Sequence, residues 1–314
     1  MLSTKIYAYN EYLTHKYGAK TYKCPINIPS TCPNRDGTLG HHGCSFCSAK
    51  GTGFESHHNM VPIAEQINAA RDKMIARYKA KKFIGYFQNY TNTYMPVETF
   101  ISYVEQALEC DLVGIDIATR PDTISDAYID ALKKIKAQYA INITFELGLQ
   151  IANDSILNAT HRGHSVQDYE QTAIKLKSHG FDICTHLILN LPDSTMTDVL
   201  NTAKLMNTVK TDVVKLHSLY IAKDSLYEKQ FLEGKIHVGS VEDYVDRVVA
   251  FITHLNPDIA LARLVSRIPK DDAVFSNWDA SWWKIYNQIM DYLDTHKLSQ
   301  GIYYQEDSYG KQSI

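Results

Sequence analysis

The chain has 314 residues, 45% of them hydrophobic and 21% charged, with a formal net charge of −3. That length can bury a large core, as one barrel-sized domain or two smaller ones. The charge excludes a global basic field that would draw in nucleic acid, so RNA binding would need a local patch. No run approaches the roughly 20 apolar residues of a membrane span. The start, Met1-Leu2-Ser3-Thr4-Lys5-Ile6, lacks an apolar core followed by a cleavage site, so no targeting segment is expected. Six cysteines are too sparse for a disulfide framework. A cytoplasmic protein with reduced thiols and no membrane partner is expected.

Tyr7–Tyr17 reads as a helix closed by Gly18. A strand-then-helix unit then recurs. Strand-like runs fall at Thr21–Ile28, Phe83–Gln88, Leu112–Ala118, Ala140–Leu147, Asp182–Leu189 and Val213–Tyr220. Helical periodicity falls between them, at Ile63–Lys79, Val97–Glu109, Asp126–Gln138, Val166–His179 and Met196–Val209. A repeat of roughly 30–40 residues fits successive βα crossovers and a parallel sheet. The expected fold is α/β, a partial, open TIM-type (β/α)6 barrel with helical additions at both ends. The expected division is 1–20 as an N-terminal extension, 21–225 as the barrel core and 226–314 as an extension packed on it. That last part carries a helix at Val241–Leu255, a strand-like run at Ile259–Val265 and a helix at Ser281–His296. Functional residues of such barrels gather at the C-terminal strand ends.

The first strand ends just before Cys32-Pro-Asn-Arg-Asp-Gly-Thr-Leu-Gly-His-His-Gly-Cys44-Ser-Phe-Cys47, a C-x11-C-x2-C spacing. Thiolates on one glycine-rich loop bind soft metals. A [4Fe–4S] cluster normally takes four cysteines. Three, Cys32, Cys44 and Cys47, leave one iron open to the amino and carboxylate groups of S-adenosylmethionine (SAM). Phe46 would lie beside cluster and cofactor. Zinc is the rival reading, with Cys24 as a fourth thiolate or with His41, His42, His57 and His58 nearby, although only one C-x2-C knuckle exists. Cys24, Cys110 and Cys184 otherwise read as small buried residues.

Several strand ends carry polar residues that could meet SAM. Gln88 and Asn92 follow the second strand, where amides could bond the SAM amino group or carboxylate, or simply form a polar loop. Arg120 could fix a carboxylate or phosphate, and Asp122 could turn the chain. Glu146 sits inside an apolar strand and needs a partner, either a ribose diol or Arg120 or Arg162. Arg162 could hold the SAM carboxylate, and Asn190 is poised to bond SAM. Lys215 and His217 share one face of the sixth strand, where a histidine is more often a core residue. Arg263, Arg267 and Lys270, followed by Trp278, Trp282 and Trp283, could grip single-stranded RNA or belong to a packed helix. The basic run Arg71, Lys73, Arg77, Lys79, Lys81 and Lys82 could bind phosphates or be a solvated face.

Together the Cys32–Cys47 run, Gln88 to Tyr94, Thr119-Arg120-Pro121-Asp122, Glu146-Leu-Gly-Leu-Gln150, Arg162-Gly163-His164, Leu191-Pro192 and Lys215-Leu-His217 resemble one family over nearly the whole chain. It is the bacterial Elongator-like branch of the radical SAM superfamily, the YhcC/YtqA group. The resemblance implies Cys32, Cys44 and Cys47 on a [4Fe–4S] cluster and reductive cleavage of SAM to methionine and a 5′-deoxyadenosyl radical. A reducing donor such as flavodoxin or ferredoxin is then implied. It also implies the anticodon region of tRNA as substrate, with the wobble-uridine C5 side chain converted from carboxymethylaminomethyl toward aminomethyl. The Gly-Gly-Glu stretch common after the second strand is replaced by Tyr86-Phe87-Gln88. Elongator-type relatives also carry an acetyltransferase domain, and no acetyl-CoA chemistry is expected of these 314 residues. Open alternatives are a radical SAM enzyme acting on a small molecule or protein, a zinc-stabilised RNA-binding protein without redox chemistry, and an iron–sulfur regulatory or electron-transfer protein.

Overall fold

The structure, a computed structural model, describes residues 5–48, 51 and 57–305. The first four residues and residues 306–314 of the expected terminal extensions lie outside the described residues. In chain order the elements are α1 (Tyr9–Tyr17), β1 (Thr21–Ile26), α2 (Ile63–Tyr78), β2 (Lys82–Phe87), α3 (Val97–Leu108), β3 (Gly114–Thr119), α4 (Asp126–Tyr139) and β4 (Asn142–Gln150). They continue as α5 (Asp154–Ala159), α6 (Val166–Ser178), β5 (Asp182–Leu187), α7 (Met196–Thr208), β6 (Val213–Leu216), β7 (Ile221–Ala222) and α8 (Leu226–Leu232). The chain closes with α9 (Val241–His254), β8 (Ala260–Arg263), β9 (Ala273–Phe275) and α10 (Trp282–Thr295).

The main sheet is parallel throughout, in the order β1-β2-β3-β4-β5-β6-β8. The order never reverses. Right-handed crossovers therefore place every connecting helix on one face, and the twisted sheet curls into an open barrel. The expected six-strand barrel thus gains a seventh strand: the run near Ile259–Val265 pairs with β6 rather than merely packing on the core. Pro25 lies in β1, an edge strand, where its missing N–H costs no ladder bond. At the opposite edge the Leu261 N–H donates to the Tyr7 carbonyl, so the N-terminal segment partly covers β8.

Strand alternation sorts the side chains. In β3, Ile115 and Ile117 are fully buried in the hydrophobic core, while Asp116 lies on the opposite, inner face. In β4, Phe145 packs edge-on against Phe181 at 5.2 Å, and Glu146 alternates with it inward. Phe87, Phe100 and Tyr128 join β2, α3 and α4 through aromatic contacts at 5.3 and 5.9 Å.

Helix α1 closes the N-terminal end of the barrel. Lys16 pairs with Asp182, and Lys82 donates to the Tyr17 carbonyl at 2.7 Å. Tyr7, Tyr9 and Tyr12 pack on Cys184, Val213 and Ala260. Lys82, Asp182, Val213 and Ala260 are all first residues of their strands or adjacent in register to them. A Cβ on Gly114, the first residue of β3, would lie 2.8 Å from the Tyr17 hydroxyl, so this approach needs glycine. As expected, Gly18 ends the helix, with φ 70° and its N–H on the Thr14 carbonyl at 2.8 Å. Among the described residues no helix is long and apolar enough to cross a membrane.

Phe145→Ala removes a fully enclosed ring between sheet and helices. It is expected to cost about 3–5 kcal/mol, read as a lower urea midpoint at unchanged slope.

Candidate active site at the mouth of the barrel

The cysteine loop follows β1 and is tied down from both sides. The Ser45 N–H donates to the Thr160 carbonyl at 3.0 Å, and Tyr227 N–H donates to the Ser45 carbonyl at 2.9 Å. Within the loop, Arg35 N–H reaches the Cys32 carbonyl at 2.8 Å and Cys47 N–H the Cys44 carbonyl at 2.9 Å. Gly43 adopts φ 78° directly before Cys44, and the Arg35 guanidinium packs where a side chain would project.

Donors converge on the Cys44 sulfur. Asn34 Nδ2 lies 3.3 Å away and the Arg162 guanidinium 3.2 Å. Arg162 also donates to the Gly148 carbonyl at 2.5 Å and lies 2.9 Å from His164 Nε2. Arg120 is held by a two-point pair with Asp122, at 2.9 and 2.8 Å, and donates to the Arg162 carbonyl at 2.6 Å. The hydrogen bond with Cys47, then the Arg162 charge, hold the Cys44 thiol well below its ordinary value. Cys47, as the other member of that bond, is pushed the opposite way. Burial, then Arg162, push His164 down to about 3, so it stays neutral beside the guanidinium.

Below the mouth lies a charged layer that few of the sequence signals revealed. Glu146, 1% exposed, pairs with Lys23, with His186 Nε2 at 2.6 Å and with Lys215 Nζ at 3.3 Å. Lys23 also pairs with Asp116 at 2.6 Å and lies 4.8 Å from the centre of the Tyr86 ring. Neither Arg120 nor Arg162, the structural partners expected for Glu146, is among these partners. Burial opposes the Glu146 charge, but Lys215, Lys23 and His186 outweigh it and hold the carboxyl well below its usual range. Burial, then Lys215, push His186 down to about 4. Glu146, Cys184 and His186 bring ligand atoms within 4.8 Å of one another. A cation there would face the Lys23 and Lys215 ammonium groups, and burial pushes the Cys184 thiol up. That arrangement suits an ion-pair layer rather than a metal.

A cavity of about 140 Å³ gathers Cys32, Cys44, Cys47, Phe46, Gln88, Arg120, Glu146 and Arg162. A second, of about 120 Å³, holds His217 and shares Phe46, Tyr86, Gln88, Gln150 and His186 with the first. Two expected site residues line neither. The Asn92 amide donates to the Phe87 and Ala118 carbonyls at 3.1 and 2.8 Å, tying the ends of β2 and β3. Asn190 accepts the Leu219 N–H at 2.8 Å. Cys24 faces the outer core, with its thiol pushed up to about 11 by burial, and His41, His42, His57 and His58 are exposed. Of the basic C-terminal set, Arg263 reaches the second cavity, and Arg267 stacks 3.7 Å over Trp282. Arg71 donates to the Cys110 and Asp111 carbonyls, as a packed helix would have it.

Three thiols on one cavity, a guanidinium on one sulfur and barrel walls around them fit an iron–sulfur cluster with an open iron. A family model described as the Radical SAM superfamily matches residues 30–206, and one described as the Radical_SAM C-terminal domain matches 211–295. The chain belongs to the radical SAM superfamily. Its cofactors are a [4Fe–4S] cluster and SAM. The chain is similar to the uncharacterized protein YtqA of Bacillus subtilis, 31% identical over 297 residues that cover 94% of this chain and 92% of YtqA. A tRNA uridine(34) acetyltransferase of Dehalococcoides mccartyi is 24% identical over 163 residues, 50% of this chain and 34% of that protein. Among solved structures, the archaeal Methanocaldococcus infernus Elp3 with an N-terminal deletion superposes with a TM-score of 0.69 at 17% identity. The match covers 90% of this chain and 64% of that one. It places this chain in the radical SAM barrel fold.

Two outcomes test the charged layer. Glu146→Gln leaves Lys23 with Asp116 alone and takes from Lys215 its carboxylate partner, and is expected to cost about 3–5 kcal/mol at pH 7 in urea unfolding. The acid limb follows from the pKa directions. Glu146 is depressed on folding, so its contribution is present above its unfolded value near 4.5 and fades as pH falls. His186 is neutral when folded, so unfolding gains a proton between about pH 6.5 and 4. His186→Gln should flatten stability against pH in that window, by about 1.4 kcal/mol per pH unit at most.

Proposed function

We propose that this radical SAM enzyme remodels the C5 side chain of the tRNA wobble uridine, taking a carboxymethylaminomethyl group toward aminomethyl. The observation that carries the reading is the cysteine loop with Arg162 on Cys44, at the mouth of a barrel and beside a second cavity. The relative named for tRNA uridine(34), which matches half of the chain, supports RNA as the substrate. The Arg267–Trp282 stack and the exposed Trp283 offer a basic, aromatic rim for a splayed nucleotide.

Cys32, Cys44 and Cys47 are assigned to the cluster. When bound, cluster and SAM supply reductive sulfonium cleavage to methionine and a 5′-deoxyadenosyl radical that takes a hydrogen from the substrate. The protein's own part is to place, neutralise and shield. Arg162, positioned by Gly148 and His164, offsets thiolate charge at Cys44. Arg120, fixed by Asp122, holds the Arg162 backbone in place. Phe46 and Gln88 line both cavities and are assigned to the space between SAM and substrate. Glu146 lines the first cavity and is assigned to a ribose hydroxyl of SAM. Asn92 and Asn190 are assigned as positioning residues through the Asn92 Nδ2 and Asn190 Oδ1 bonds to backbone groups, while Asn92 Oδ1 and Asn190 Nδ2 are left without a partner among the described residues. A small reducing protein such as flavodoxin or ferredoxin would deliver the electron.

The chain is reconstituted anaerobically with iron and sulfide, reduced, and given SAM. It is expected to form 5′-deoxyadenosine, and Cys44→Ala to lose both iron absorbance and product. tRNA carrying carboxymethylaminomethyluridine should raise turnover and yield aminomethyluridine by nucleoside mass analysis. SAM cleavage that no tRNA stimulates would remove the tRNA assignment while leaving the radical chemistry. Retained zinc with no SAM cleavage would remove both.

A further inference from the structure

The second cavity is the more basic of the two. Its wall carries Lys215, His217 and Arg263 from β6, the residue following it, and β8. Lys215 reaches Glu146 at 3.3 Å, but that carboxylate also serves Lys23 and His186. Arg263 has no carboxylate or other hydrogen-bond partner among the described residues. His217 stacks on His186 at 5.4 Å, and its Nε2 is enclosed with nothing to bond. Burial, then Arg263, His186 and Lys215, hold His217 well below its ordinary value, so it is neutral and has an idle ring nitrogen.

Two cationic side chains and an idle, buried imidazole nitrogen around one half-open cavity leave charge and hydrogen-bonding capacity that an anion would complete. The charged layer cannot supply it, because Glu146 is already shared three ways. SAM does not supply it either if its carboxylate goes to the open iron, on the cysteine side. The two cavities share Phe46, Tyr86 and Gln88, so a group bound in one lies beside the contents of the other.

We propose that this cavity receives an oxyanion, a carboxylate or a phosphate, carried by the molecule the enzyme acts on. Arg263 is its fixed charge partner, Lys215 a second, and the His217 ring nitrogen a hydrogen-bonding group. The assignment rests on the radical SAM reading for which cavity holds the cofactor. A guanidinium fork suits both anions. A carboxylate would come from a modified side chain such as carboxymethylaminomethyl, and a phosphate from the nucleotide itself.

Binding to the SAM-loaded holoenzyme is measured without reductant, so that no turnover occurs. The probes are two anticodon stem-loop RNAs, one with carboxymethylaminomethyluridine and one with aminomethyluridine. Acetate and inorganic phosphate are titrated separately by calorimetry. Arg263→Gln is expected to weaken the carboxylate-bearing RNA by roughly 10- to 100-fold. Arg263→Lys should restore part of that loss. If the aminomethyl RNA is unaffected, the anion is the side-chain carboxylate. If both RNAs weaken equally and phosphate binding depends on Arg263, it is the phosphate. If neither RNA binds but acetate or phosphate does so through Arg263, the tRNA reading fails and the anion cavity stands. If no probe responds to Arg263→Gln or to His217→Gln, the proposal is overturned. SAM cleavage by the wild-type holoenzyme, measured in parallel, shows separately whether the radical SAM reading holds.

Discussion

The buried carboxylate of Glu146 on β4 faces inward and is shared by three strands' basic side chains. It joins Lys23 on β1, His186 on β5 and Lys215 on β6, and through Lys23 it reaches Asp116 on β3. An open barrel lacks the last hydrogen-bonded seam that closes a full one. Here side-chain ion pairs cross the interior between strands that are not neighbours in the sheet. Removing one member leaves buried charge behind, which is why the layer is stiff. It also divides the interior: below it, Tyr9 and Tyr12 of α1 plug the strand starts, and above it the cavities open.

The mouth repeats the same electrostatic logic with opposite sign. Under the proposed assignment, a cluster on Cys32, Cys44 and Cys47 would bring negative charge to this cavity. Arg162 meets it at Cys44, and Arg162 is in turn fixed by Gly148, by neutral His164 and by Arg120 through its backbone. Arg120 spends its own fork on Asp122. Both arginines line the first cavity and are at the same time wired into a scaffold around the cysteines. Their reach toward a ligand is set by bonds already made.

Much of this was legible in the sequence, and the rest was hidden for identifiable reasons. Parallel strands buried on both faces read as apolar runs, so β1 to β6 and their helices stood out. The short β8 did not declare its sheet partner: the helix before it fits a crossover, but β7 and α8 intervene between β6 and that helix, so the strand it returns to is not marked in the sequence. The cysteine spacing revealed the loop. Glu146 drew notice as a charge inside an apolar strand, yet the same rule applied to Asp116 and Lys23 would have exposed the whole layer. Its partners lie up to 123 residues away in sequence, and spacing carries no information about such pairing. What the sequence did not show for Asn92 and Asn190 is that one end of each amide bonds backbone groups, because an amide at a strand end serves backbone turns as readily as a ligand.

The two matched family models divide the chain, and the interior charges cross that division at Glu146. Residues 30–206 supply the thiols, Gln88, Arg120, Glu146 and Arg162; Arg120 pairs with Asp122 in the same stretch, while Glu146 draws Lys23 and Lys215 from outside it. Residues 211–295 supply Lys215, which shares Glu146, and His217 and Arg263, which have no carboxylate partner among the described residues. A wall whose charges are met by the protein itself can hold one cofactor regardless of what is transformed. A wall left with surplus positive charge and an idle ring nitrogen is complete only with a particular partner in place. Because β8 is an edge strand reached after a long excursion through α8 and α9, Arg263 can be replaced without disturbing the cysteine loop. Selectivity is thereby separated from the radical-generating half of the barrel, and the two walls share Phe46, Tyr86, Gln88, Gln150 and His186 and are joined by the Glu146–Lys215 pair.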